Sequence, residues 1–86
     1  MASITLTWSP AHSSSGISYY RIYKDGILNR NHLLIENKAI YENVPIGHEY
    51  SFYLVGVTKT GDITPPSNIA TIKIFENLNY NLNFNI

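Results

Sequence analysis

The sequence predicts an all-β chain folded as an antiparallel sandwich, and three observations carry that reading. Polar and apolar residues alternate with period two in one stretch after another. Helical periodicity is nearly absent, and Gly, Pro, Asn and Asp mark turns about every ten residues. The composition is globular rather than disordered, with 44% hydrophobic and 14% charged residues. A length of 86 residues allows one small domain, and the lack of cysteine excludes a disulfide framework and a thiol metal site.

The elements follow in order. Ile4, Leu6 and Trp8 alternate with Ser3, Thr5 and Thr7, a strand with one buried face that stops at Ser9-Pro10. Ala11 to Gly16 reads as a polar loop. Tyr19 to Tyr23 is the next strand, with Tyr20 and Ile22 on one face and Tyr19, Arg21 and Tyr23 on the other. Asp25-Gly26 suits a two-residue hairpin, whose turn positions both need positive φ. Ile27-Leu28 begins the return strand, and Asn29 to Asn31 reads as a further turn. The apolar run Leu33 to Ile35 fits either a strand or a helical turn. Ala39 to Val44 is a strand closed by Pro45-Ile46-Gly47-His48. Tyr50, Phe52 and Leu54 alternate with Ser51, Tyr53 and Val55 in a long strand reaching Val57 or Thr58. Thr60-Gly61-Asp62 is a loop, and Pro65-Pro66 prevents regular pairing. Ala70, Ile72 and Ile74 mark the last conventional strand.

Charge and hydropathy exclude several function classes. Six basic and six acidic residues cancel, whereas general nucleic-acid binding requires a basic excess. There is no signal-peptide pattern at the start and no apolar run long enough to span a bilayer as a helix, so no membrane partner is expected. So small a domain has little room for both a core and a deep catalytic cleft. No enzyme activity and no cofactor are expected.

Taken together, these residues resemble a fibronectin type III domain, an immunoglobulin-like antiparallel sandwich of the bacterial or phage type. Trp8 stands where that family has its buried tryptophan, and Tyr20-Arg21-Ile22-Tyr23-Lys24-Asp25-Gly26 resembles its third strand. Val44, Gly47 and Tyr50 resemble the turn entering the sixth strand, where the resemblance implies a tyrosine corner at Tyr50. Gly61 and Pro66-Ser67 resemble the loop before the final strand. The resemblance spans Ile4 to Ile74. It departs from the family at the first strand, because only seven residues precede Trp8.

The second departure is the tail. Residues 1–75 form the sandwich, and 76–86 are a C-terminal extra strand. Leu78, Tyr80, Leu82, Phe84 and Ile86 share one face, asparagines occupy the other, and no residue from Asn77 onward is charged. Left free, such a strand aggregates. Burying its apolar side chains does not by itself offset the backbone entropy of ordering it, so it also needs a hydrogen-bonded ladder at a sheet edge. The missing first strand leaves that edge beside Ile4–Trp8. The tail is expected to fill it, either in its own domain or in a neighbouring subunit.

Sites of chemistry are sparse. His12, His32 and His48 read as solvated loop histidines in separate turns, with no metal-ligand spacing. Asp25 fits its hairpin turn, and Ser13-Ser14-Ser15 lacks a nucleophile elbow. Thr60-Gly61-Asp62 has threonine where the Arg-Gly-Asp adhesion motif needs a cation. Tyr19, Arg21, Tyr23 and Tyr53 share an outward sheet face. Ordinary cross-strand packing is one reading of that face and a protein-contact surface is another; carbohydrate has no specific support.

The expected function is therefore a non-catalytic structural protein that assembles with other subunits, as homo- or hetero-oligomer, through its sheet edge and tail strand. By analogy with sandwich domains of bacteriophage heads, tails and fibres, its setting is a virion. The alternative is a spacer or accessory module of a secreted, extracellular polysaccharide-degrading enzyme. A chain ending at Phe75 tests the role of the tail. It should lose solubility or stability, or change assembly state, and unchanged behaviour would refute that role.

Overall fold

The computed structural model describes residues 1–33 and 36–86 and is all-β. Seven strands run in order: β1 (Ala2–Trp8), β2 (Ile17–Lys24), β3 (Ile27–Leu33), β4 (Lys38–Val44), β5 (Glu49–Thr58), β6 (Ala70–Lys73) and β7 (Asn79–Phe84). They form two packed sheets, one ordered β4-β1-β7 and the other β3-β2-β5-β6. Leu33 belongs to β3; the rest of its apolar run, Leu34 and Ile35, lies outside the described residues.

Alternation sets which side chains fill the core. Ala2, Ile4, Leu6 and Trp8 of β1 are buried, facing Tyr20 and Ile22 of β2 and Phe52 and Leu54 of β5. Ile74, just beyond β6, is fully buried. The Tyr20 hydroxyl accepts a buried bond from Ala11 N at 3.0 Å, which ties the loop after β1 to the core. At one side of the sandwich Tyr41 packs on Phe52, with ring centroids 5.3 Å apart, and the Arg30 guanidinium carbon lies 4.0 Å from the Tyr41 centroid. Lys24 Nζ lies 4.6 Å from the Tyr50 centroid.

The turns show how local sequence sets register. Asp25 (φ 52°) and Gly26 (φ 80°) both take the left-handed backbone expected of the β2–β3 hairpin. Asn29 to Asn31, expected as a turn, instead runs within β3. The ladder passes from Ile22↔Arg30 to Tyr23↔Leu28, so Asn29 is an extra bulged residue. Its side chain accepts a 2.6 Å bond from the Tyr41 hydroxyl. A polar bulge and a turn share the same local composition, and only the partner strand distinguishes them. A second shift, between Ala2↔Val44 and Ile4↔Tyr41, accompanies Asn43 at φ 56°.

One pairing departs from the expected antiparallel arrangement: β7 runs parallel to β1, in register from Ser3↔Asn79 to Trp8↔Phe84. Its direction follows from where the chain leaves β6. Gly47 N donates to Ile74 O at 2.7 Å and Ile74 N to His48 O at 2.9 Å, which pins Ile74 to the turn after β4. Val44, before that turn, pairs with Ala2. The crossover therefore reaches the other sheet at the start of β1, and the last strand can only run alongside it. The tail thus lies in its own domain beside β1.

Tyr80, Leu82 and Ile86 pack against the core and Phe84 is 2% exposed. Leu78 does not join them. It precedes β7 and remains 49% exposed. On the outer face the asparagines meet the hydroxyls of β1: Asn79 Nδ2 donates to Ser3 Oγ at 2.6 Å, and Thr7 Oγ1 donates to Asn83 Oδ1 at 2.5 Å.

Two substitutions at the ends of the tail separate core from surface. Phe84→Ala should cost about 3 kcal/mol in urea unfolding, whereas Leu78→Ala should stay within about 0.5 kcal/mol. At the left-handed position, Asn43→Ala should cost about 1 kcal/mol, and Asn43→Gly should restore the loss by removing the Cβ.

Candidate functional site: an aromatic sheet face

The outer face of the four-stranded sheet is built by β2 and β5. Their register opposes Tyr19 to Val57, Arg21 to Val55 and Tyr23 to Tyr53. The four residues expected on this face, Tyr19, Arg21, Tyr23 and Tyr53, are all on it, and they form two pairs. Tyr23 and Tyr53 stack with centroids 4.7 Å apart and planes at 10°. Arg21 Nη2 donates to the Tyr19 hydroxyl at 3.3 Å. That bond, more than the accompanying charge interaction, raises the Arg21 pKa above its already high ordinary value. Arg21 is therefore a fixed cation on the face.

Val55 and Val57 are nearly buried although they point outward, because the segment between β5 and β6 folds along the β5 edge. Pro65 and Pro66 have no N–H to continue a ladder, and two hydroxyls replace it. Gly56 N donates to Thr64 Oγ1 at 2.8 Å and Leu54 N to Ser67 Oγ at 2.9 Å. Thr64 N and Ser67 N donate in turn to the carbonyls of Gly56 and Leu54. The segment so fastened leaves an open groove of about 400 Å³, with Tyr23, Tyr53 and Val55 on one side and Ile63, Pro66 and Ile69 on the other. Ile63 is 54% and Ile69 68% exposed.

The loop wall was not legible as a site in the sequence. Its one signal was a pair of isoleucines flanking Pro65-Pro66 in an otherwise polar stretch. These two apolar side chains have no alternation to place them on a face.

The remaining candidates take structural places. His32, expected as a solvated loop residue, lies in β3 opposite Tyr20. Its ring meets Trp8 edge-on at 5.1 Å, and its Nε2 is 2.8 Å from Glu36 O. His12 is exposed in the loop after β1, and His48 lies 6.2 Å from the Tyr50 ring. Among the described residues, no group of three or more His, Cys, Asp or Glu side chains is placed to hold a metal ion. Ser13 and Ser15 bond each other at 3.0 Å within their own turn. The Asp25 carboxylate accepts from Ser51 N at 2.9 Å and so clamps the hairpin to β5. Asp62 accepts from the Thr60 hydroxyl in a turn centred on Gly61.

The corner role expected of Tyr50 is filled elsewhere. Tyr50 turns its ring to Lys24, and like Tyr20, whose hydroxyl takes Ala11 N, Tyr80 bonds upstream backbone through its hydroxyl. It donates to Glu76 O at 3.2 Å and accepts from Glu76 N at 3.1 Å.

No family model, curated protein or solved structure matches this chain. Among the described residues no helix is long and apolar enough to cross a membrane.

Tyr41 offers a spectroscopic check on the side of the sandwich. Burial raises its pKa above the ordinary value of about 10, while the charge of nearby Arg30 opposes the rise. Arg30→Met should therefore lift the Tyr41 titration further, as read by ultraviolet difference spectra. The sign for stability follows: the folded state holds this proton more tightly than the unfolded chain. Its contribution is present at neutral pH and is lost as pH rises from about 10 through the raised value.

Proposed function

We propose that this chain is a non-catalytic assembly domain with a fibronectin type III-like sandwich, which docks on other structural subunits through the tyrosine face and the tail edge. The strand arrangement supports the family reading. β1 and β4 share one sheet while β2, β5 and β6 share the other, as strands B and E and strands C, F and G do in immunoglobulin-like sandwiches. Trp8 is buried between the sheets at 6% exposure.

The observation that carries the docking role is the groove beside the stacked Tyr23–Tyr53 pair. Exposed Ile63 and Ile69 extend the apolar surface there, and Arg21 stands two residues along β2. Tyrosine and arginine set in an apolar surround are the residue types that dominate protein–protein contacts. A bacteriophage particle is the setting proposed for this assembly, by analogy with sandwich domains of virions and from the uncharged, assembly-prone tail.

Site-specific photocrosslinking in the source organism tests the reading. A photoreactive residue in place of Tyr53 should capture a discrete structural subunit, and one in place of Glu42, on the other sheet, should not. Equal labelling from both positions, or none from either, would overturn the docking role and leave the spacer alternative.

A further inference from the structure

Within Asn79–Phe84, β7 is laddered on one edge only; just beyond it Asn85 N, on the other edge, donates to Asn68 Oδ1 at 2.8 Å. Among the described residues the edge strands are β4, β7, β3 and β6, and three of these carry charge: Lys38 and Glu42 in β4, Arg30 in β3 and Lys73 in β6. β7 carries none. Charged edge residues are the usual protection against edge-to-edge pairing.

The direction of the unpaired backbone groups follows from the ladder. Ser3 N donates to Leu78 O at 3.0 Å and Ser9 N to Phe84 O at 3.4 Å. In a strand, successive residues point their N–H and C=O groups to opposite sides. The even-numbered residues Tyr80, Leu82 and Phe84 therefore spend their backbone groups on β1, and Asn79, Asn81 and Asn83 point theirs away. Those same asparagines turn their side chains to the outer face. One set of positions thus builds the core and the β1 ladder, and the other set is free for a partner.

We propose that β7 pairs edge to edge with β7 of a second copy of this chain, antiparallel about a two-fold axis at Asn81. This rests on the assembly reading above and names the partner at this edge. Three features select a second copy. The register about Asn81 sets Asn79 opposite Asn83 of the mate, so every outward N–H and C=O in the stretch meets its complement. No like charges oppose one another, either along the edge or between whole chains of zero net charge. The inner faces set Tyr80 against Leu82 of the mate, an aromatic–aliphatic cross-strand pair. The product is one continuous sheet, β4-β1-β7 joined to its symmetry copy.

Light scattering after size exclusion, over a concentration series of the full chain, tests the pairing. The chain should be a dimer. Asn81→Pro removes an outward N–H while leaving the bonds of Tyr80 and Leu82 to β1, and should weaken the dimer by roughly tenfold or more with circular dichroism unchanged. If that variant fails to fold, Asn81→Lys decides, since it opposes like charges at the two-fold and should give a monomer that salt partly reverts. A wild-type chain that stays monomeric, or an assembly that folded variants leave unchanged, overturns the pairing. A monomer that still crosslinks a subunit from position 53 overturns this inference alone. A dimer without that crosslink overturns docking through the tyrosine face alone.

Discussion

The structure depends on the parallel pairing of β1 with β7. β1 is the middle strand of the smaller sheet and supplies Ile4, Leu6 and Trp8 to the core. Without a neighbour on its second side, its alternate N–H and C=O groups would lack partners and its apolar row would lie at an open edge. β7 meets both needs, by a ladder from Asn79 to Phe84 and by Tyr80, Leu82 and Phe84 laid against the same core. The first and last of the seven strands are thereby fastened together, by contacts between residues as much as 76 positions apart. Loop closure must precede the gain from such a contact, so it is expected to form late in folding.

The crossover is built to deliver the strand correctly. Ile74 is buried and bonded to Gly47 and His48, and the Tyr80 hydroxyl gathers backbone groups of Phe75 and Glu76. These contacts fix where the chain turns between sheets, and hence the direction and register of β7. A slip of one residue would send asparagines inward and Tyr80, Leu82 and Phe84 to solvent. The strictness of the alternation and the anchoring of the crossover are two sides of one constraint.

The same period of two divides structural from functional positions. On β2 and β5, inward residues fill the core while Tyr19, Arg21, Tyr23 and Tyr53 face out. On β7, inward residues fill the core while asparagines hold the outer face and point their backbones to the edge away from β1. A domain this small builds its contact surfaces from the back of the strands that stabilise it, and the loop carrying Ile63 and Ile69 adds the one wall that strand periodicity cannot supply.

By itself the sequence determined the all-β class, the inward faces of β1, β2 and β5, the Asp25-Gly26 hairpin and the edge-seeking character of the tail. Each is a local property, written in alternation or in the backbone freedom of one or two residues. It also put the four aromatic and basic residues on one face, because that needs only their parity along two strands. Tertiary structure decided the rest. Whether Asn29 is a turn or a bulge depends on the strand opposite, and the strand placement of His32 depends on the same pairing. Tyr80 rather than Tyr50 bonds upstream backbone because the crossover brings the carbonyl of Glu76 to its hydroxyl. The parallel direction of β7 depends on where Ile74 is pinned, a contact between residues far apart in the chain that no local pattern encodes.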